Sequence, residues 1–310
     1  MIDHTSTTST STITEPPLGS LLKNLCLPTF ATDYQELAES FELEKKTYTD
    51  YLHELSIREM EHRRNLRIAR LLKQAKLSRD KLLTSFDIKR IPGLSPAKVQ
   101  HLATGEFIDA TENILIFGNP GTGKTHLSIG LAREWCLRGR RVLYQTAASL
   151  VQQLLEAKAN LKLRQFIKKL DYMEVLLIDD ISYVPYTREE TDVLFTLLAE
   201  RYETRSVVIT SNLAFANWNT IFKDEMTTSA AIDRLVHHST ILELNAESYR
   251  VEAAKNKKLA LAQEKTKNGE MQTTQTTKQT TKQIAKEEET KTKKAPEITE
   301  TQDEKTGNIF

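Results

Sequence analysis

The chain has 310 residues, of which 39% are hydrophobic and 7% aromatic; that is room for one large domain or two ordinary ones, with part of the chain left outside any core. Its 43 Lys and Arg stand against 42 Asp and Glu, a net charge of +1, which excludes a uniformly basic nucleic-acid coat but not a local basic patch. Two cysteines, Cys26 and Cys136, and no CxxC exclude a zinc ribbon, a thioredoxin-like site and a disulfide scaffold, and make a reducing, cytoplasmic setting the expectation.

Residues 1–19 are Ser/Thr-rich and end at Pro16 and Pro17. They are polar and acidic where a secretory signal would be basic and then apolar, and read as a disordered leader. No apolar run approaches the ~18 residues needed to span a membrane. Residues 20–105 are helical and basic, and form a small all-α domain. Thr47 and Asp50 resemble a capping box that opens a long helix, with Tyr48, Tyr51, Leu52 and Leu55 at helical spacing. Along it Arg63, Arg67 and Arg70 fall at i, i+4 and i+7, extended by Lys73, with Arg64 and Lys76 close by. Two readings stand: a solvated helix face, or a stripe that tracks DNA phosphates with weak sequence preference.

Residues 106–254 alternate apolar strands with helical patterns. Strands are expected at 112–118, 140–146, 172–180, 206–212 and 239–245, and helices at 125–138, 149–170 and 189–202. Leu127, Leu131 and Trp135 point inward. This pattern implies a parallel sheet with both faces covered. Residues 255–310 are Lys, Glu, Thr and Gln with a single aromatic, Phe310, and read as a disordered tail.

The segment Gly118-Asn119-Pro120-Gly121-Thr122-Gly123-Lys124-Thr125 matches G-x-x-x-x-G-K-[ST] between a strand and a helix. Glycines let backbone N–H groups close round phosphates, and the helix start adds positive dipole character. Lys124 is expected on the β and γ phosphates of ATP, and the Thr125 hydroxyl on Mg²⁺. His126 opens the helix and belongs to the same nucleotide-binding stretch. It and His237 and His238 read as helix residues, with no fourth ligand at metal-site spacing. Asp179 and Asp180 end the strand VLLIDD. There the first acid holds Mg²⁺ and the second polarises the attacking water. Asn212, ending SVVITSN, either orients that water or makes an Asx turn.

The phrases GTGKTHLSIGLA (121–132), VLFTLLAERYE (193–203), SNLAFANWNTIF (211–222), AIDRLVHHS (231–239) and ESYR (247–250) resemble the IstB-like ATPases of bacterial insertion sequences. These are helpers of DDE-type transposases, related to DnaC-type helicase loaders of the AAA+ superfamily. The resemblance runs from about Leu21 to Arg250. It implies a P-loop NTPase (AAA+) sheet flanked by helices, with Asn212 as sensor 1 and Arg234 as an arginine finger for a neighbouring subunit. Arg201 and Arg205 are the next candidates for that finger. Arg250 resembles the sensor 2 arginine. The partners implied are duplex DNA, a cognate transposase and further copies of the chain. Asp180 and Ser182 stand where relatives often carry Glu and Gly, and the tail is not a family feature. A helicase loader and a slowly hydrolysing nucleotide-bound scaffold are the alternatives. A small-molecule kinase lacks an acceptor lid here, and GTP lacks an NKxD-type reader.

Overall fold

A computed structural model describes residues 16–255 except 183, 184, 221, 223, 224 and 253. Most of the expected leader, and all but the first residue of the expected tail, lie outside the described residues. The chain divides into two compact units, Met1–Ser248 and Tyr249–Phe310. In the second, residues 249–252, 254 and 255 are helical.

The first unit opens with α1 (Leu18–Asn24), α2 (Pro28–Leu43) and α3 (Tyr48–Gln74). Pro28 sits at the start of α2, where its missing N–H costs nothing. The expected capping box is present: Thr47 Oγ1 accepts from the Asp50 amide at 3.2 Å, and Asp50 accepts from the Thr47 amide at 3.2 Å. The far end of α3 docks on the rest of the unit through the buried Leu71 and Ala75. Two 3₁₀ turns, Leu83–Ser85 and Ile88–Arg90, and the helices α4 (Pro96–Thr104) and α5 (Glu106–Asp109) lead into the sheet.

The sheet comprises β1 (Asn113–Gly118), β2 (Val142–Thr146), β3 (Val175–Asp179), β4 (Ser206–Ser211) and β5 (Ser239–Leu244). The spatial order is β2-β3-β4-β1-β5, with every pairing parallel. Among the described residues, five helices connect the strands: α6 (Lys124–Leu137), α7 (Ala147–Ala159), α8 (Leu163–Asp171), α9 (Arg188–Arg201) and α10 (Glu225–His237). Leu127, Leu131 and Trp135 of α6 are buried against Ile114, Ile116 and Leu177 on one face. Leu150 and Leu154 of α7 and Leu194 and Leu197 of α9 pack on Leu115, Leu176 and Ile209 on the other. Burial on both faces explains why the strands read as unbroken apolar runs. The exposed edge of β2 is met by α3, whose Ala75 carbonyl accepts from the Tyr144 amide at 3.0 Å. The fold is an α/β parallel sheet flanked by helices, with the phosphate-loop motif after β1, and is preceded by helices. No helix among the described residues is long and apolar enough to cross a membrane.

One element departs from expectation. The single helix predicted over 149–170 is two, α7 and α8, separated at Asn160–Lys162. The Lys162 amide bonds the Ala157 carbonyl at 2.7 Å and the Leu161 amide bonds the Lys158 carbonyl at 3.0 Å, with Leu161 left-handed at φ 56°. That is a Schellman ending, and leucine in place of the usual glycine hides it from pattern reading.

Candidate nucleotide site

All five strands run the same way, so their C-terminal ends bring Gly118, Asp179 and Ser211 to one edge of the sheet. Ligands bind at that edge in open α/β folds. The loop after β1 is held in a backbone shape that needs glycine: Gly121 has φ 86° and Gly123, capping α6, has φ 100°. A Cβ at Gly123 would also lie 2.9 Å from the Phe86 ring.

Three side chains form a continuous chain across the loop. Lys124 Nζ donates to the Gly118 carbonyl at 2.7 Å, to the Asn119 carbonyl at 3.0 Å and to Asn212 Oδ1 at 2.5 Å. Asn212 Nδ2 donates to Asp180 Oδ1 at 2.9 Å. The Asn212 amide is fixed in turn by Ser182 Oγ at 2.7 Å. The fold therefore brings Lys124, Asn212 and Asp180 together from β1–α6, β4 and β3. Asp180 holds a left-handed backbone, φ 61°, a conformation that Asp tolerates better than most residues.

Asp179 is the second focus. Its carboxylate accepts from Thr125 Oγ1 at 3.0 Å, Thr210 Oγ1 at 2.7 Å and Tyr144 OH at 3.0 Å. The Thr210 hydroxyl also accepts from the Asp180 amide at 2.8 Å. The 3.0 Å between Thr125 Oγ1 and Asp179 Oδ1 matches the edge of about 2.9 Å between neighbouring oxygens in an octahedral Mg²⁺ shell. A hydroxyl and a carboxylate at that spacing fit a hard divalent cation. Burial, and then the Asp179 charge, push the Tyr144 phenol well above its ordinary value, so it stays a neutral donor.

Tyr144 and Thr210 were missed from sequence. Thr146 pairs with Asp179 across β2 and β3, and Tyr144 stands two residues back on the same face. Thr210 follows Ile209, the partner of Ile178. Strand register was the signal, and it appears only once the strands are paired.

The other predicted residues divide. The His126 ring turns to the Leu82 carbonyl at 2.9 Å and to Ser85 at 3.2 Å, so its side chain is committed to the preceding segment. Thr122 Oγ1 bonds the Asn119 carbonyl at 2.9 Å and shapes the loop. Arg234 is exposed on α10, beside Asn113 and Leu235. Asn113 starts β1, so Arg234 sits at the opposite end of the sheet from the phosphate loop. Arg201 is fully buried, donating to the carbonyls of Leu170, Met173 and Ser206 at 3.0–3.1 Å. Burial lowers its guanidinium to about 10. It cannot reach another subunit. Arg205 is tied to the Asp171 carbonyl at 3.0 Å. Arg250 belongs to the second unit.

The basic stripe is partly spent inside the molecule. Arg63 pairs with the buried Glu59 at 2.7 Å and donates to the Cys26 carbonyl at 2.6 Å. Arg67 donates to the Gly139 carbonyl at 3.3 Å. Arg64, Arg70, Lys73 and Lys76 are exposed, and none has an ion-pair partner among the described residues.

Comparison with known proteins identifies the family. Residues 20–260 match the family described as IstB-like ATP binding protein. An insertion-sequence ATP-binding protein of Sinorhizobium fredii is 41% identical over 245 residues, 79% of this chain and 82% of that one. The IS21 ATP-binding protein of Pseudomonas aeruginosa is 36% identical over 234 residues, 76% of this chain and 88% of that one. A solved structure of the DnaC helicase loader aligns with a TM-score of 0.47 at 17% identity, covering 54% of this chain and 97% of that one. The family match runs through the N-terminal helices as well as the sheet, and it spans the phosphate loop and its acids: the chain belongs to the IstB-like ATP-binding proteins of insertion sequences.

Proposed function

We propose that the protein is an ATPase that binds duplex DNA, assembles on it through ATP-bearing subunit interfaces, and presents deformed target DNA to the transposase of its insertion sequence. The observation that carries the reading is the Lys124–Asn212–Asp180 chain beside the Thr125–Asp179 pair. A loop that only held a nucleotide would need the lysine; it would not need a carboxylate and an amide linked to it.

ATP is the substrate. Lys124 exchanges its contact with Asn212 for the β and γ phosphate oxygens, which frees the Asn212 carboxamide to orient a water. Asp180 accepts the hydrogen bond, and then the proton, of that water as its oxygen bonds to the γ phosphorus. The bond from that phosphorus to the ADP oxygen breaks, and ADP leaves with the electron pair. Bound at Thr125 and Asp179, Mg²⁺ would neutralise charge on the phosphate oxygens. Arg234 of an adjacent subunit supplies positive charge at the γ phosphate, and Arg250 acts at the nucleotide as a sensor. Arg64, Arg70, Lys73 and Lys76 sit on DNA phosphates, with Arg63 and Arg67 contributing less because they are already bonded.

The test is ATP turnover by the purified chain with and without duplex DNA, at two salt concentrations. Turnover should rise with DNA and lose that rise at the higher salt, as phosphate binding through counterion release requires. Lys124→Ala should abolish turnover. Turnover that persists in Lys124→Ala removes the assignment, and turnover indifferent to DNA removes the coupling.

A further inference from the structure

The break between α7 and α8 is a feature that the nucleotide site does not use. Leu161 stands at the tip with φ 56°, a backbone position that glycine fills at ordinary helix ends, and its side chain is 94% exposed. Cys26, Lys45, Lys76 and Glu203 take similar angles elsewhere; among these Leu161 is the one large aliphatic side chain. Nothing in the fold is gained by a leucine there: it packs on no core, and it strains the turn.

Its surroundings are strongly charged. Lys158, Lys162, Arg164, Lys168 and Lys169 are exposed, and no acid lies between Glu156 and Asp171. None of the five has an ion-pair partner among the described residues. Ile167 and Leu170 turn the apolar side of α8 into the core, so the cations stand on the outer side. The result is a single apolar tip ringed by unpaired cations.

That combination fits a duplex, in which anionic phosphates flank a groove and an apolar side chain can enter between the faces of two stacked bases when a step is opened. Proteins that kink DNA insert a leucine or similar wedge at a base step from the minor groove, and hold the flanking phosphates with Lys and Arg. An anionic membrane is the poorer match, because interfacial helices bury a whole apolar face in lipid, and that of α8 is already buried in the protein. We propose that the α7–α8 elbow is a second duplex-DNA contact, in which Lys158, Lys162 and Arg164 grip phosphates and Leu161 wedges a base step to bend the DNA. This rests on the reading of the chain as a duplex-DNA-binding protein and assigns the bending to one residue.

The experiment uses the full chain with ATP and a short duplex labelled at its two ends for energy transfer, with affinity and bend read separately. Leu161→Gly should keep or raise the melting temperature and leave turnover without DNA unchanged. It should hold the Kd within about threefold and abolish the bend. Leu161→Met should restore the bend. Changing Lys158, Lys162 and Arg164 together to Gln should weaken binding by about tenfold or more and reduce the salt slope by about 2–3. If the wild type binds and bends duplex while Leu161→Gly bends it equally, the wedge is wrong. If the triple variant binds like wild type, the elbow is not a DNA surface. Loss of binding to phosphatidylserine vesicles in the triple variant, with duplex binding intact, would make the elbow a membrane contact and overturn the proposal. Failure of the wild type to bind duplex at all would instead remove the proposed function on which this rests.

Discussion

At the scale of single residues, the site is organised by one carboxamide. Asn212 accepts from Lys124 and donates to Asp180, so it joins the lysine proposed to grip phosphate to the carboxylate proposed to face the water. Removing it should separate binding from chemistry. In Asn212→Ala, Lys124 keeps its bonds to the Gly118 and Asn119 carbonyls, and the loop keeps its shape. ATP affinity should change by less than about tenfold, while turnover falls by about 10²–10³, the usual cost of losing one preorganised polar group at a reacting centre. Equilibrium binding of a fluorescent ATP analogue, set beside steady-state turnover, measures the two separately. Equal loss of both would make Asn212 a binding residue and weaken the case for Asp180 as the acceptor.

At the scale of elements, α3 joins two jobs, and the buried Glu59 joins two helices. Its carboxylate accepts from the Thr29 amide in the first turn of α2 at 2.9 Å and pairs with Arg63, placing negative charge at the positive end of a helix. Burial alone would raise this carboxyl; the Arg63 guanidinium and the Thr29 amide together outweigh it and hold it below its ordinary 4.5. A depressed folded value gives stability that is fully present above the unfolded value and is lost as pH falls through the folded one. The α1–α3 assembly should therefore weaken below about pH 4.5. Glu59→Gln should remove that part of the acid sensitivity and cost about 1–2 kcal/mol at neutral pH, read by thermal unfolding across the acid range. An acid limb unchanged in Glu59→Gln would mean that other carboxylates control it. This pairing also marks the limit of what the sequence discloses. The phosphate loop, the acids ending β3 and the Thr47–Asp50 cap are local patterns, and each was legible because its physics lies within a few residues. The i, i+4, i+7 spacing of Arg63, Arg67 and Arg70 was equally legible, as was Glu59 four residues before Arg63, but the Cys26 and Gly139 carbonyls that Arg63 and Arg67 bond come from chain geometry, so two of these three arginines are already bonded inside the chain. Tyr144 and Thr210 stayed hidden for the same reason, since only strand register sets them on Asp179. The α7–α8 break was hidden because its turn carries Leu161 where glycine would have announced it.

At the scale of the whole molecule, the proposed arginine finger stands too far off to serve the nucleotide site of its own chain. Arg234 lies beside Asn113 at the start of β1, while the phosphate loop follows Gly118 at the other end of that strand, about 17 Å away at the rise of an extended chain. An arginine side chain does not span that distance, and Arg201, at the same end of the sheet as Arg234, is sealed in the core. A head-to-tail contact, in which the Arg234 end of one copy meets the loop end of the next, would build a ring with every site complete or a filament with every site but the last complete, rather than a closed dimer. An arginine supplied in this way is worth about 10³–10⁵ in rate in related phosphoryl transfers, so assembly itself would switch hydrolysis on. The decisive prediction is complementation between two inactive variants. Arg234→Ala keeps an intact loop and lacks the finger, whereas Asp180→Asn keeps the finger and lacks the proton acceptor. Each alone should bind ATP and turn it over very slowly. Mixed in equal amounts before assembly, they should form competent interfaces wherever an Arg234→Ala subunit faces an Asp180→Asn neighbour, about a quarter of the total for random head-to-tail order. Turnover should recover to about that fraction of wild type and should rise with protein concentration. Mixed assemblies of normal size that stay inactive would show that Arg234 serves its own chain or none.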